Sequence, residues 1–82
     1  MSGNVDMARV AVRLQRRQKY ALGPALHALR ALVGAGLEDE AGNRAREYAQ
    51  NFGASADAGA ALLRLAREAP TRQFNAEQTI IA

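Results

Sequence analysis

The chain has 82 residues and a net charge of +3, which suits one domain and leaves no room for a second. Hydrophobic residues make up 49% of the sequence, but aromatic residues account for only 5%, so we expect a thin core completed by a homodimer or a larger partner. The lack of Cys excludes a disulfide framework and a thiolate metal site, and no segment resembles a signal peptide or a membrane span. We therefore expect a cytoplasmic protein.

Apolar residues recur every three or four positions, and Gly and Pro interrupt this pattern, which predicts an all-α fold: a small, compact bundle of four short helices. The first helix is predicted over residues 5–22, with Asn4 as its cap and with Gly23 and Pro24 at its end. Its core face is expected to contain six residues: Met7, Val10, Ala11, Leu14, Gln18 and Ala21.

The second, third and fourth helices are predicted over residues 24–33, over 38–52, and from Ser55 to a stop at Pro70. We expect the first and third helices to form the longest packed pair. The predicted core faces are Ala25, Leu26, Leu29, Leu32 and Val33 in the second helix, Leu37, Ala41, Ala45, Tyr48, Ala49 and Phe52 in the third, and Ala58, Ala61, Leu62, Leu65 and Ala69 in the fourth.

The single domain, residues 1–82, ends in a segment with two interpretations. Residues 71–82 are either a tail or a short fifth C-terminal helical turn, since Asn75 and Gln78 have the spacing of a capping box. The apolar side chains in this segment either complete the thin core or bind a partner: Phe74, Ile80 and Ile81.

Charge is concentrated in the first half of the chain. Residues 1–35 contain six Lys or Arg and one acidic residue, whereas residues 36–82 contain five Arg and seven acidic residues. The stretch RLQRRQKYALG begins at Arg13 and falls mostly on the predicted first helix. Helical spacing places most of the cations and an aromatic ring along one flank, with one further cation beside the core face: Arg9, Arg13, Arg16 and Tyr20, and then Arg17.

This flank has three interpretations. Guanidinium groups and a phenol on one face can pair with phosphates and stack on bases of a nucleic acid. The same groups can bind an acidic protein surface, because Arg and Tyr are frequent at interface hot spots. A surface helix also needs a polar face without any partner, and Asp6 can pair with Arg9.

A second segment, REYAQNFGASADAGAALLRLA at residues 46–66, resembles the helix-turn-helix of DNA-binding regulators in its Ala49, Gly53 and Leu62. The resemblance implies that the fourth helix reads the major groove. A helix that contacts base edges in the major groove needs Arg, Lys, Asn or Gln near its start, whereas this chain has small residues and Asp57 there. A plain helical hairpin with a glycine turn is the other interpretation.

The sequence offers little for catalysis. The sole His, His27, is predicted on an exposed side of the second helix without a triad partner, and one His without Cys excludes a typical structural zinc site. The consecutive acids Glu38, Asp39 and Glu40 point in different directions on a helix, and their charge suits the positive end of the helix dipole. No phosphate-binding glycine loop is present. We expect no enzyme activity, no metal and no cofactor.

By elimination, the sequence predicts a small, non-enzymatic regulatory or inhibitory protein. It would bind a larger protein or nucleoprotein complex with an acidic surface through the first helix and would not bind membranes. The alternative is a nucleic-acid-binding transcriptional regulator, as a dimer in one version, that uses the same helix or the helix-turn-helix at 46–66. In size, though not by family, the chain is similar to the small regulators that phages and plasmids encode.

Overall fold

The chain folds into helices joined by short connections. The computed structural model describes residues 2–68, and within that range the chain forms four α-helices and no strand, as the sequence predicts. They are α1 (Ser2–Arg17), α2 (Leu22–Gly34), α3 (Glu38–Asn51) and α4 (Ala58–Glu68). The predicted fifth turn, with Phe74, Ile80 and Ile81, lies outside the described residues.

Helix α2 is the centre of the bundle. It packs against α1, α3 and α4, and α3 packs in addition against α4. Among the described residues the backbones of α1 and α3 do not approach each other closely, so the expected pairing of the first and third helices is wrong. The reason is that the apolar face of α3 is already covered by α2 and α4, which leaves α1 only its contact with α2.

The predicted core is confirmed in α2 and α3. Leu29 and Leu32 of α2 and Tyr48 of α3 are fully buried. The other predicted residues that are buried are Ala25, Leu26, Ala41, Ala45 and Ala49, and Ala28 is buried without having been predicted. Three further predicted residues are partly buried against this cluster: Val33, Leu37 and Phe52. Each of these two helices has one apolar face, so its periodicity identifies the buried side.

Of the predicted core residues of the first helix, Ala11 is buried, but α1 otherwise buries a different face from the predicted one. Its buried residues are Ala8, Ala11, Val12 and Gln15, whereas Met7, Val10 and Leu14 are exposed. At about 100° per residue, the two faces are rotated from each other by about 120°. The two alanines let α1 approach the leucine-rich face of α2 closely, which accounts for the preference for small residues over large ones at this contact.

Helix α1 also ends at Arg17 rather than at Leu22, because the chain turns over residues 18–20. The turn is closed by the N–H of Ala21, which donates to the carbonyl of Gln18 at 2.9 Å. Helix α2 then begins at Leu22, so Pro24 lies in its first turn, where a missing N–H costs no helical hydrogen bond. Packing of α2 against α1 here outweighs the helix propensity of the turn residues.

The buried face of α4 is shifted from the prediction as well. Gly59 and Ala66 are buried. Of the predicted core residues, Ala58 and Leu62 are partly buried, Ala61 and Leu65 are exposed, and Ala69 lies outside the described residues. Gly59 explains the shift, because a Cβ atom there would lie 2.8 Å from the backbone nitrogen of Arg46 in α3. The backbones of α3 and α4 therefore meet at this glycine, which sets the rotation of α4.

Turn chemistry before α4 is only partly as predicted. Gly53 follows α3 with a φ of 83°, a conformation that favours glycine. The predicted cap Ser55 lies before the helix, which begins at Ala58, and its carbonyl accepts the N–H of Ala58 at 3.0 Å. Asn4, the predicted cap of the first helix, lies inside α1.

Candidate binding surface on the first helix

Three predicted contact residues form one line along α1, which we call the cationic stripe: Arg9, Arg13 and Arg16. All three are exposed. Their spacing of four and three residues places them on the same side of the helix, over a length of about 10 Å. Arg17 is exposed too and lies at the edge of this stripe, near the last turn of α1, where a positive charge suits the helix dipole. The structure therefore brings the four predicted arginines together.

The arginines differ in their partners. Arg9 donates to the Glu40 carboxylate and so connects α1 to the first turn of α3. Arg13, Arg16 and Arg17 make no ion pair with any residue that the structure describes. Three guanidinium groups on one side of α1 are thus available to an external anion.

A groove of about 500 Å³ runs between α1 and α3 beside the cationic stripe. Its charged lining consists of four arginines and two acids: Arg9, Arg13, Arg16, Arg44, Asp6 and Glu40. The excess of positive charge favours anionic groups in this groove, while the two carboxylates break the positive field into patches.

Two buried polar groups of α3 lack hydrogen-bond partners within the described residues. Arg44 donates from Nη1 to Glu47 Oε1 at 2.7 Å, but its Nε is buried without a partner. The Tyr48 hydroxyl is buried and has no partner either. Burial raises the pKa of Tyr48 to about 12, the Glu47 charge adds to this effect, and Arg44 and Arg16 oppose it. The phenol is therefore neutral at physiological pH.

Tyr20 does not lie in line with the arginines on the helix. The structure places it in the turn after α1, where its side chain is 72% exposed. The Lys19 ammonium lies 5.5 Å from the centre of the Tyr20 ring, within the range of a cation–π interaction. Tyr20 is thus an exposed aromatic beyond the end of α1.

The sequence analysis missed a second exposed line on α1, which we call the apolar stripe: Met7, Val10 and Leu14. Their exposed fractions are 69%, 46% and 48%. They were assigned to the core because helical periodicity places them on one face together with Ala11. The sequence did contain a signal for this: α1 has a second apolar face, with alanines at positions 8 and 11, that could be buried instead.

The segment that resembles a helix-turn-helix covers the end of α3, the connection and most of α4. The connection comprises residues 52–57, longer than the usual turn of three to four residues. The first turn of α4 begins Ala58, Gly59, Ala60 and carries no basic side chain, and Gly59 is packed against α3. This part of α4 offers no side chain suited to reading base edges.

The remaining candidates are also placed by the structure. His27 lies on the exposed side of α2, as predicted. Glu38, Asp39 and Glu40 form the first turn of α3, and Glu38 pairs with Arg67 of α4. Over residues 2–68, no group of three potential metal ligands was found, and none of the helices is long and apolar enough to cross a membrane.

Fold and surface together define a small all-α bundle with a cationic first helix. No protein-family model matches the sequence, and neither the curated proteins nor the solved structures contain a significant match. Function therefore has to be inferred from the surface chemistry of α1, since a bundle fold by itself does not specify an activity.

Proposed function

We propose that this chain is a non-enzymatic regulatory or inhibitory protein of the cytoplasm, which binds an acidic surface of a larger protein or nucleoprotein complex. The contact is made by Arg9, Arg13, Arg16 and Arg17 on α1. The observation that supports this proposal is the absence of ion pairs from Arg13, Arg16 and Arg17 in the described structure.

Rigid presentation supports the same proposal. The stripe belongs to a helix that is already packed against α2 through another face, so its backbone does not have to be ordered on binding. Arginine forms bidentate hydrogen bonds with carboxylates, and it is enriched at the energetic centres of protein interfaces. Tyr20 extends the contact beyond α1, and Phe74, Ile80 and Ile81 stay a secondary prediction.

The alternative is a nucleic-acid-binding regulator that uses the same arginines. Asp6 and Glu40 line the same groove as the stripe. A regular row of phosphates would meet these carboxylates at close range, whereas a protein surface can place its acids only where the arginines are. We therefore favour a protein surface.

Capture from a lysate of the source cells tests the proposal. The double variant R13E/R16E should lose the partner that the wild-type chain captures, while R30E, which reverses an exposed charge on α2, should retain it. Circular dichroism should show that both variants keep their helices. Equal capture by R13E/R16E and the wild type would place the interface elsewhere.

Salt dependence separates the two classes of ligand. Binding to duplex DNA should weaken linearly with salt on logarithmic axes, with a slope of about 0.9 for each phosphate contacted. We expect no specific complex with DNA at physiological salt. A tight DNA complex with that slope, weakened by R13E/R16E, would support the alternative.

A further inference from the structure

We infer that α1 is the inserted element of the interface: the apolar stripe enters an apolar groove on the partner protein, and Arg13 and Arg17 pair with carboxylates on the rim of that groove. This inference rests on the proposed function and adds the chemistry of the partner's surface. It concerns Met7, Val10 and Leu14, which the cationic contact alone does not use.

The spacing of the apolar stripe is the first argument. Positions 7, 10 and 14 are related as i, i+3 and i+7, the anchor pattern of a helix that lies in a hydrophobic groove. At about 100° per residue the three side chains fall within an arc of about 60°, and they span about 10 Å along the helix. The stripe is thus narrow and two turns long, a shape that fits a groove better than a flat surface.

The position of the stripe on α1 is the second argument. The other side of the helix is fixed against α2 by Ala8, Ala11 and Val12, which are 0%, 2% and 5% exposed. Turning α1 to bury Leu14 would replace alanines by larger side chains at a close contact. The bundle therefore holds the apolar stripe in solvent, where burial of such side chains by a partner is favourable.

Charge complementarity identifies the occupant. Arg13 and Arg17 lie along one edge of the apolar stripe and have no ion pair with the described residues. A groove with an acidic rim would neutralise both and cover the neighbouring Val10. A nucleic acid backbone would pair with the arginines but leave the apolar stripe in water. An antiparallel second copy of α1 would bring the arginines of both copies to one side of the contact, where their like charges repel.

A photocrosslinking amino acid in the full chain tests this inference directly. The probe, p-benzoylphenylalanine, replaces Val10, which is 46% exposed, and in a control replaces Leu65 of α4, which is 42% exposed. Irradiation in the source cells should join position 10 to a protein, and mass spectrometry should map the joined site to apolar residues bordered by Asp or Glu. Position 65 should not capture this protein.

Substitutions then measure separately how much the apolar stripe and the two arginines at its edge contribute to binding. V10D should reduce capture of that protein by at least about tenfold, as expected for an interface anchor, and R13E/R17E should do the same. The control L65D should leave capture unchanged. Each variant changes an exposed residue, and circular dichroism should confirm that it stays helical.

Several results would overturn the inference. They are crosslinks from position 10 to a second copy, to residues 69–82 of the same chain or to nucleic acid, and the absence of any crosslink. Unchanged capture by V10D combined with loss in R13E/R16E would refute groove insertion and leave the proposed function intact. Capture that depends on Val10 but on none of the arginines would refute the proposed function.

Discussion

Helices α1 and α3 differ in how much of their surface the bundle encloses. Helix α3 packs against both α2 and α4, and its apolar residues Ala41, Ala45 and Tyr48 are all buried. Helix α1 packs against α2 alone, and its largest apolar residues stay in solvent. Apolar periodicity thus shows that a helix has a face to bury, but the neighbours decide whether this chain or another molecule buries it.

The largest difference in stability is expected between alanine substitutions of a core leucine and of a leucine in the apolar stripe. Leu29 is fully buried, so Leu29→Ala should lower the free energy of unfolding by about 2–5 kcal/mol. Leu14 is 48% exposed, so Leu14→Ala should cost less than about 1 kcal/mol. Urea denaturation of the two variants measures both values. Equal losses would mean that Leu14 belongs to the core and that α1 is oriented as its periodicity predicts.

Replacing two helical glycines by alanine should change the stability of the fold in opposite directions. A Cβ atom on Gly59 would collide with the backbone of α3, so Gly59→Ala should destabilise the fold by about 1–3 kcal/mol. A Cβ atom on Gly42 would meet nothing within 4 Å, so Gly42→Ala should stabilise α3 by about 1 kcal/mol. Thermal unfolding followed by circular dichroism compares them. A stable Gly59→Ala variant would contradict the close contact between α3 and α4.

Alkaline unfolding should report the burial of Tyr48. Its pKa is 10.0 without the fold and about 12 in the fold, so the unfolded chain loses the phenol proton first. The stability linked to Tyr48 is therefore complete below pH 10 and is lost as the pH rises through 12. The loss should be on the order of 3 kcal/mol.

Tyr48→Phe should remove this part of the pH dependence, because Phe has no proton to lose. Urea denaturation at several alkaline pH values, in the wild type and in the variant, isolates the contribution of Tyr48 from that of all other groups. Identical slopes in the two chains would show that the Tyr48 hydroxyl is solvated.

The smallest effect concerns the buried amide on α1. Gln15 is fully buried, and neither its Oε1 nor its Nε2 has a hydrogen-bond partner among the described residues. Gln15→Met keeps the shape and removes the unsatisfied groups, so it should stabilise the fold by about 1 kcal/mol. The matched change Gln50→Met, on the exposed side of α3, should stay within about 0.5 kcal/mol of the wild type. A loss of stability in Gln15→Met would mean that the amide is satisfied in solution.

Sequence patterns predicted the fold class and the core of α2 and α3, because each of these helices has a single apolar face. They failed for most of α1, which has two such faces that share Ala11: periodicity pointed to Met7, Val10 and Leu14, whereas close packing against α2 buries Ala8 and Val12. They also failed for part of α4, where the approach to α3 at Gly59 sets the rotation.

The cationic stripe was predictable, because long charged residues on a helix face solvent under almost any packing. The apolar stripe was not predictable. Helix α1 has two apolar faces, and only its tertiary contact with α2 determines which of them is buried and which is exposed. The predicted position of Tyr20 on the first helix was wrong for a related reason: the chain turns after Arg17 so that α2 can pack against α1.

The central place of α2 lets the bundle open in steps. Because α2, α3 and α4 contact one another, they can stay assembled while α1, which packs against α2 alone and is otherwise held by the Arg9–Glu40 ion pair, detaches. Amide hydrogens of α1 should then exchange with solvent through this partial opening, and those of α2 only through global unfolding. Any molecule that holds α1 in place would slow this exchange and stabilise the least protected helix of the protein.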